Sequence, residues 1–266
     1  MNRIFISLKK ILRFFLSKAL LIPFPLLLVK SLEKYISLYL GKGWDSQNID
    51  FEIDICLSLL KEKPKVFVDI GANKGLYTKC LLRKASSIEC HMFEPSSFNF
   101  ELIENQFISN ENVKLNKLAL SDFKSRGKLF SNSLGSGLAS LTKRRLDHFD
   151  INMNLEEEVD IIRFDQYWKA FNKVIDFVKV DVEGYDLDVL KGFGKDIHKT
   201  KLIQFEFGGA NIDTKTFFQD IWYFFLEHKF LIFRITPRGI IPINYYSERD
   251  ELLIYTNYIA VNKRFI

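Results

Sequence analysis

Two short runs of acidic residues and glycines stand out in this 266-residue chain. Asp69-Ile-Gly71-Ala-Asn73-Lys-Gly75 follows the apolar run Val66–Ile70, and Phe93-Glu94-Pro95 follows a second one, with Glu94 nineteen residues after Gly75. A strand that ends in a glycine-rich turn and feeds a helix is a natural nucleoside site. Ligands of open α/β sheets bind beyond the carboxyl ends of the strands, and glycine lets the backbone turn sharply and approach them. A carboxylate at the end of the second strand, here Glu94, can accept hydrogen bonds from both ribose hydroxyls. The loop reads Gly-x-Asn-x-Gly, which does not fit the GxGxxG dinucleotide fingerprint. Asp69 beside it would repel a pyrophosphate, which needs a helix N-terminus free of negative charge. The same aspartate suits a cofactor with an ammonium and a sulfonium, so S-adenosylmethionine is favoured over NAD(P).

A second set of carboxylates follows the apolar run Phe177–Val180. Asp181 and Glu183 are two apart, and side chains two apart on an extended segment point the same way. Neighbouring carboxylates in a cleft raise at least one pKa, which suits a general base acting on a hydroxyl. The other reading gives Asp181 to the cofactor ammonium and Glu183 to the start of a helix near Gly184. Glu206, ending the run Leu202–Phe207 before Gly208-Gly209, is a third acid on that rim. With Asp181 it could hold a divalent ion, but two carboxylates are few for magnesium, and no metal is expected. His148, in Arg144-Arg-Leu-Asp-His148, is either a base delivered by a loop or a solvated surface group.

These groups need a scaffold, and the hydrophobic pattern supplies one. Strands are expected at 66–70, 88–93, 113–118, 174–180, 202–207, 230–235 and 252–261, and helices at 74–85, 96–108, 186–191 and 216–228. Continuous apolar strands joined by helices imply a mostly parallel sheet covered on both faces. Between Ser121 and Phe171 the rhythm breaks, with a flexible stretch Ser131–Gly137 and an extra strand at 159–164. An insertion there, near the strand ends, is where a substrate-binding loop belongs. Gly41-Lys-Gly43 marks the boundary between a helical, amphipathic extension, residues 1–43, and the main domain, residues 44–266.

Charge separates the two parts. The net charge is +5, yet residues 1–43 carry eight Lys and Arg against Glu33 alone, so the remainder is slightly acidic. Nucleic-acid enzymes concentrate positive charge at the active face, and a nucleic-acid partner is therefore disfavoured. Residues 4–19 have helical periodicity, with Ile4, Leu8, Ile11 and Phe15 on one face and lysines and arginine largely opposite. The apolar run 19–29 is broken by Pro23 and Pro25 and is too short to span a bilayer. Residues 1–32 are either a structural extension or a basic amphipathic segment resting on an anionic membrane. Cys56, Cys80 and Cys90 show no zinc or disulfide spacing, which fits reduced thiols in a cytosolic protein.

Five segments in order, Val68-Asp-Ile-Gly-Ala-Asn-Lys-Gly-Leu-Tyr-Thr78, Phe93-Glu-Pro95, Ala119-Leu-Ser-Asp122, Gly137-Leu-Ala-Ser-Leu141 and Ile175-Asp-Phe-Val-Lys-Val-Asp-Val-Glu-Gly184, resemble the FkbM family of methyltransferases. The resemblance runs from about Val66 to Phe207. It implies the seven-stranded class I (Rossmann-like) methyltransferase fold and O-methylation, often of sugar or polyketide hydroxyls. It also implies that Gly71, Asn73 and Gly75 line the methionine part of the cofactor and Glu94 the ribose. Asp122 falls where such enzymes contact the adenine, although a structural cap explains it equally well. The chain departs from the family at Arg163-Phe164, where Thr-Leu is common. The expected acceptor is a small molecule or glycan, with a sugar in a bacterial surface glycan or glycolipid preferred. Two competing readings are a non-catalytic partner subunit and an NAD(P)-dependent sugar oxidoreductase. The latter needs a Tyr-x-x-x-Lys pair, which Tyr35–Tyr39 and Tyr185–Val189 do not provide.

Overall fold

The computed structural model describes residues 25–44 and 48–266. Helix α1 (Leu26–Tyr39) and helix α2 (Ile49–Leu59) precede strand β1 (Val66–Ile70) and helix α3 (Leu76–Lys84). Strand β2 (Glu89–Phe93), helix α4 (Ser97–Phe107) and strand β3 (Val113–Asn116) complete the first half. Then come strands β4 (Ala119–Leu120), β5 (Ser125–Ser131) and β6 (Leu155–Ile162), and helix α5 (Phe164–Trp168). The second half holds β7 (Ile175–Val180), α6 (Asp186–Gly192), β8 (Thr200–Phe207), α7 (Ala210–Thr214) and α8 (Phe218–Glu227). It closes with β9 (Phe230–Thr236), β10 (Gly239–Pro242) and β11 (Thr256–Asn262).

The main sheet has eight strands in the order β10-β9-β11-β8-β7-β1-β2-β3. Pairs from β8 through β3 are parallel, while β11 pairs antiparallel with both β8 and β9. Chain order reverses between β1 and β7. The chain moves outward through β2 and β3, then returns to the other side of β1, opening a crevice at the carboxyl ends of these two strands. The expected class I fold is present, with one strand more than seven. The addition is β10, a hairpin partner of β9 across the Pro237-Arg238 turn. It sits at the sheet edge, where Pro242 costs no ladder bond.

The inner strands are buried on both sides: Phe67, Val68, Phe177, Val178, Phe205 and Phe207 are essentially inaccessible. One layer is filled by Phe218, Ile221 and Phe225, spaced one helical turn apart along α8, and the other by Ile53, Cys56, Tyr77 and Leu81 from α2 and α3. Helix α3 starts at Leu76 because Gly75 before it adopts φ +72. The start of α8 is capped from a distance, with the Phe218 and Gln219 N–H groups donating to the Glu251 carboxylate at 2.8 and 2.9 Å.

The interruption after β3 is a second sheet, ordered β4-β6-β5. Ala119 and Leu120 pair in parallel with Ile161 and Ile162, so the insertion departs from and rejoins the body at neighbouring points. Val159 and Ile161 pack inward while Glu156 and Asp160 point out. Arg163 and Phe164, the departure from the family pattern, have clear jobs. Arg163 chelates Asp165 (3.0 and 2.6 Å) and donates to the Asp122 carbonyl (2.7 Å). Phe164 stacks on Phe193 with centroids 4.0 Å apart.

Residues 4–19, expected to be an amphipathic helix, lie outside the described residues. Helix α1 falls within the extension, residues 1–43, expected to be helical and amphipathic. It buries none of its side chains and is tied down at its end, where Arg238 donates to the Tyr39 hydroxyl at 2.7 Å. Gly41 (φ +77) and Gly43 (φ +67) turn the chain after α1, and the Gly43 N–H donates to Thr256 Oγ1 at 3.2 Å. No helix among the described residues is long and apolar enough to cross a membrane.

Candidate active site

A cleft lies at the carboxyl ends of β1, β2 and β7. Its floor is Ile70, Gly71, Asn73, Phe93 and Glu94; one wall is Leu118–Leu120, and another is Asp181–Glu183. The insertion supplies the roof through Leu129 and the segment 136–141.

Glu94 is 5% exposed, and its two oxygens accept from the Asn73 N–H (2.7 Å) and the Ser96 N–H (2.9 Å). Burial pushes its pKa up to about 7 against those bonds. Each carboxylate oxygen has a second lone pair, so the group can still accept from two hydroxyls. Asn99 lines the same cleft and has a buried amide oxygen with no hydrogen-bond partner. A buried carboxylate with spare acceptors, an orphaned amide oxygen and the apolar walls of Phe93, Leu118 and Leu120 fit a nucleoside.

The glycines have a different task from the one expected. Gly71 adopts φ +80, and a Cβ there would collide with the carbonyl of Asp181. At Gly75 the space a Cβ would take is filled by Phe107, 2.7 Å away, and Ile103. Both glycines admit neighbouring protein, and only Gly71 reaches the cleft. Asp69 is also withdrawn from it. Fully buried, it accepts from Thr78 Oγ1 at 2.6 Å, its other oxygen has no partner, and burial raises its pKa despite the charge of Lys179. Asp122 does not line the cleft either; Arg163 holds its carbonyl beneath the insertion.

Asp181 and Glu183 both line the cleft, and the chain leaves the extended conformation at Glu183. The Asp181 N–H continues the ladder to the Ile70 carbonyl (3.0 Å), whereas Glu183 has φ +52 and Gly184 φ +98. Asp181 is paired with Lys179 at 2.6 Å. Glu183 accepts from Arg144 Nη1 at 2.5 Å and lies 3.4 Å from the Tyr255 hydroxyl, and Arg144 also donates to that hydroxyl at 3.1 Å. Its side chain does not cap α6. Burial and the charge of Asp181 raise the Glu183 pKa to about 7, against the pull of Arg144. Glu206 stands behind this pair, its pKa raised well above normal by burial and by Asp181, Glu183 and Asp186. It is not part of the cleft lining.

Arg144 escaped the sequence reading although it lay in the run that singled out His148. It is 5% exposed, and nothing in Lys143-Arg144-Arg145 distinguishes it from its neighbours until the chain is folded. His148 lines a neighbouring cleft, with its ring 4.2 Å from that of Phe149. Among the described residues no group of three or more His, Cys, Asp or Glu is placed to hold a metal ion.

The Methyltransferase FkbM domain profile matches residues 69–232, more than half of the chain and spanning the whole cleft. The chain belongs to the FkbM methyltransferase family. It is accordingly a methyltransferase that uses S-adenosylmethionine, built on the class I fold. No curated protein matches this FkbM methyltransferase. Among solved structures it is similar to the precorrin-6y C5,15-methyltransferase of Geobacter metallireducens, with 12% identity, covering 79% of this chain and 86% of that one at TM-score 0.39. It is also similar to an O-methyltransferase of Bacillus cereus in complex with SAH, with 14% identity, covering 92% of this chain and 94% of that one at TM-score 0.43. Likenesses at these TM-scores add no weight to the assignment, which rests on the family match.

Proposed function

We propose that this FkbM methyltransferase is an O-methyltransferase acting on a sugar hydroxyl of a bacterial surface glycan or glycolipid. The observation that carries the oxygen acceptor is Glu183, a carboxylate in the cleft wall whose pKa near 7 suits it to remove a hydroxyl proton. When bound, S-adenosylmethionine supplies a methyl group on a positively charged sulfur. Glu94 would hold the ribose hydroxyls, Asn99 the base, and Gly71 to Asn73 the methionine end. Asp181, in the same wall, offers a carboxylate to the ammonium. Glu183 would take the proton of the acceptor hydroxyl, and Arg144 and Tyr255 keep its carboxylate aimed. Burial and the charge of Asp181 hold the Glu183 pKa up. The protein's contribution is mainly alignment of the reacting atoms in a cleft roofed against water.

The test has two parts. Calorimetry should show S-adenosylhomocysteine binding that Glu94→Ala weakens at least tenfold; equal binding by the variant would count heavily against the cofactor placement. Transfer of a labelled methyl group to glycan extracts should follow. Binding without transfer to any such extract would favour a non-catalytic partner subunit. For residues 1–32 we retain a peripheral contact with anionic membrane, supported by the solvent-facing Leu27, Leu28 and Leu32 of α1 and the basic excess of the extension.

A further inference from the structure

A second cleft lies on the far side of the 136–141 segment from the cofactor cleft. The two share that segment as a partition: Gly137, Ala139 and Ser140 face one, and Leu138 faces the other. They also share the Glu183–Arg144–Tyr255 cluster, because Glu183 lines the first while Arg144 and Tyr255 line the second. The second cleft is graded along its length. Its inner end is polar and buried, where Arg144 bonds Glu183 and Tyr255 and approaches Asp213 at 3.5 Å with its Nε left without a hydrogen bond. Its outer rim is open and carries exposed apolar side chains, Phe149 65%, Ile212 59%, Leu253 42% and Ile254 54% exposed, beside Arg145 and His148.

Such a grade selects an occupant. A free sugar would leave the rim facing water, and exposed apolar patches of this kind mark binding surfaces. A molecule with a hydroxylated head and an apolar chain satisfies both ends at once, its head against Arg144 and Glu183 and its chain along Phe149, Ile212 and Ile254. The rim also lies beside α1: a Cβ on Gly43, just after that helix, would touch Ile254 at 3.0 Å. The turn that follows α1 therefore abuts the mouth of this cleft. We infer that the second cleft is the acceptor site and that the acceptor is an amphiphile, a hydroxylated head joined to an apolar chain. The inference deepens the O-methyltransferase reading and rests on it.

The probes are n-octyl β-D-glucopyranoside, below its micellar concentration, and methyl β-D-glucopyranoside. Each is titrated into the full chain in the presence of S-adenosylhomocysteine. The octyl glycoside should bind at least tenfold more tightly than the methyl glycoside. Ile212→Asp should remove that advantage while leaving S-adenosylhomocysteine affinity unchanged, and Leu27→Asp on α1 should keep it. Equal binding of the two glycosides, or full octyl binding by Ile212→Asp, overturns the proposal. So does loss of octyl binding in Leu27→Asp, which would move the apolar contact to the helix. Failure of S-adenosylhomocysteine itself to bind would overturn the underlying reading instead, so the two failures are distinguishable.

Discussion

At the scale of single residues, the site depends on two carboxylates held near neutrality by burial. Glu183→Gln should lower kcat by roughly 10²- to 10⁴-fold, the usual share of a general base, with S-adenosylhomocysteine affinity changed less than threefold; a variant with near wild-type kcat would remove Glu183 from this role. Because the base works deprotonated, the wild-type rate should climb with pH and level off above about 7. Arg144 pulls the Glu183 pKa down, so Arg144→Gln should shift the rising limb of that profile to higher pH. Glu94 gives a second titration. Ribose hydroxyls donate to its charged form, so S-adenosylhomocysteine should bind more tightly as pH rises towards about 7 and release a proton below it. Calorimetry in buffers of different ionisation enthalpy reads that proton directly. Glu94, Asp181 and Glu183 were legible in the sequence because each ends a strand, and strand ends meet at the crevice. Arg144 and Asn99 were not, since their place depends on how a loop and a helix fold back.

At the scale of elements, the contact between the end of β1 and the end of β7 is the tightest constraint. Gly71→Ala must both adopt φ +80 and displace the Asp181 carbonyl. The left-handed conformation alone costs roughly 1–2 kcal/mol, and the collision adds to it. A thermal melt should show a clear loss of stability, together with weakened S-adenosylhomocysteine binding. The parallel core strands and most helices could be read from apolar runs and helical spacing. The bounds of α1 could not, since a helix with no buried side chain leaves no burial pattern. The edge strand β10 is only four residues long and ends in proline, and the short β4 and the turn at Glu183 are equally silent in a hydrophobic profile. Period-two reasoning for Asp181 and Glu183 assumes an extended chain, whereas the chain turns at Glu183.

At the scale of the whole molecule, stability without cofactor should respond to pH in an unusual sense. Glu94 and Glu183 have folded-state pKa values raised to about 7, above an unfolded value near 4.5, so between those limits the folded chain binds more protons than the unfolded one. Stability is therefore lost as pH rises through that window, each group contributing on the order of 1.4 kcal/mol for every pH unit between its unfolded and folded values. The buried Asp69, Asp186 and Glu206 add to the same slope. His91, which burial lowers to about 4, opposes it with a single group. Urea unfolding of the ligand-free protein should give a lower midpoint at pH 8 than at pH 5.5, and the reverse order would reject this ranking of charges. Below about 4.5 the trend turns. Glu89 is disfavoured as a charge by burial, yet bonds from Lys114, Lys173 and His91 hold it at about 2, and that stabilisation disappears as pH falls through its value. The pairing of Ala119 with Ile161 and Leu120 with Ile162 bears on how this architecture diversifies. A segment that leaves and re-enters at adjacent points is an interchangeable cassette. It carries the partition between the two clefts, whereas Glu94 and the β1 turn belong to the body. Transplanting another family member's cassette here should alter which acceptor is methylated while the same body goes on holding the cofactor.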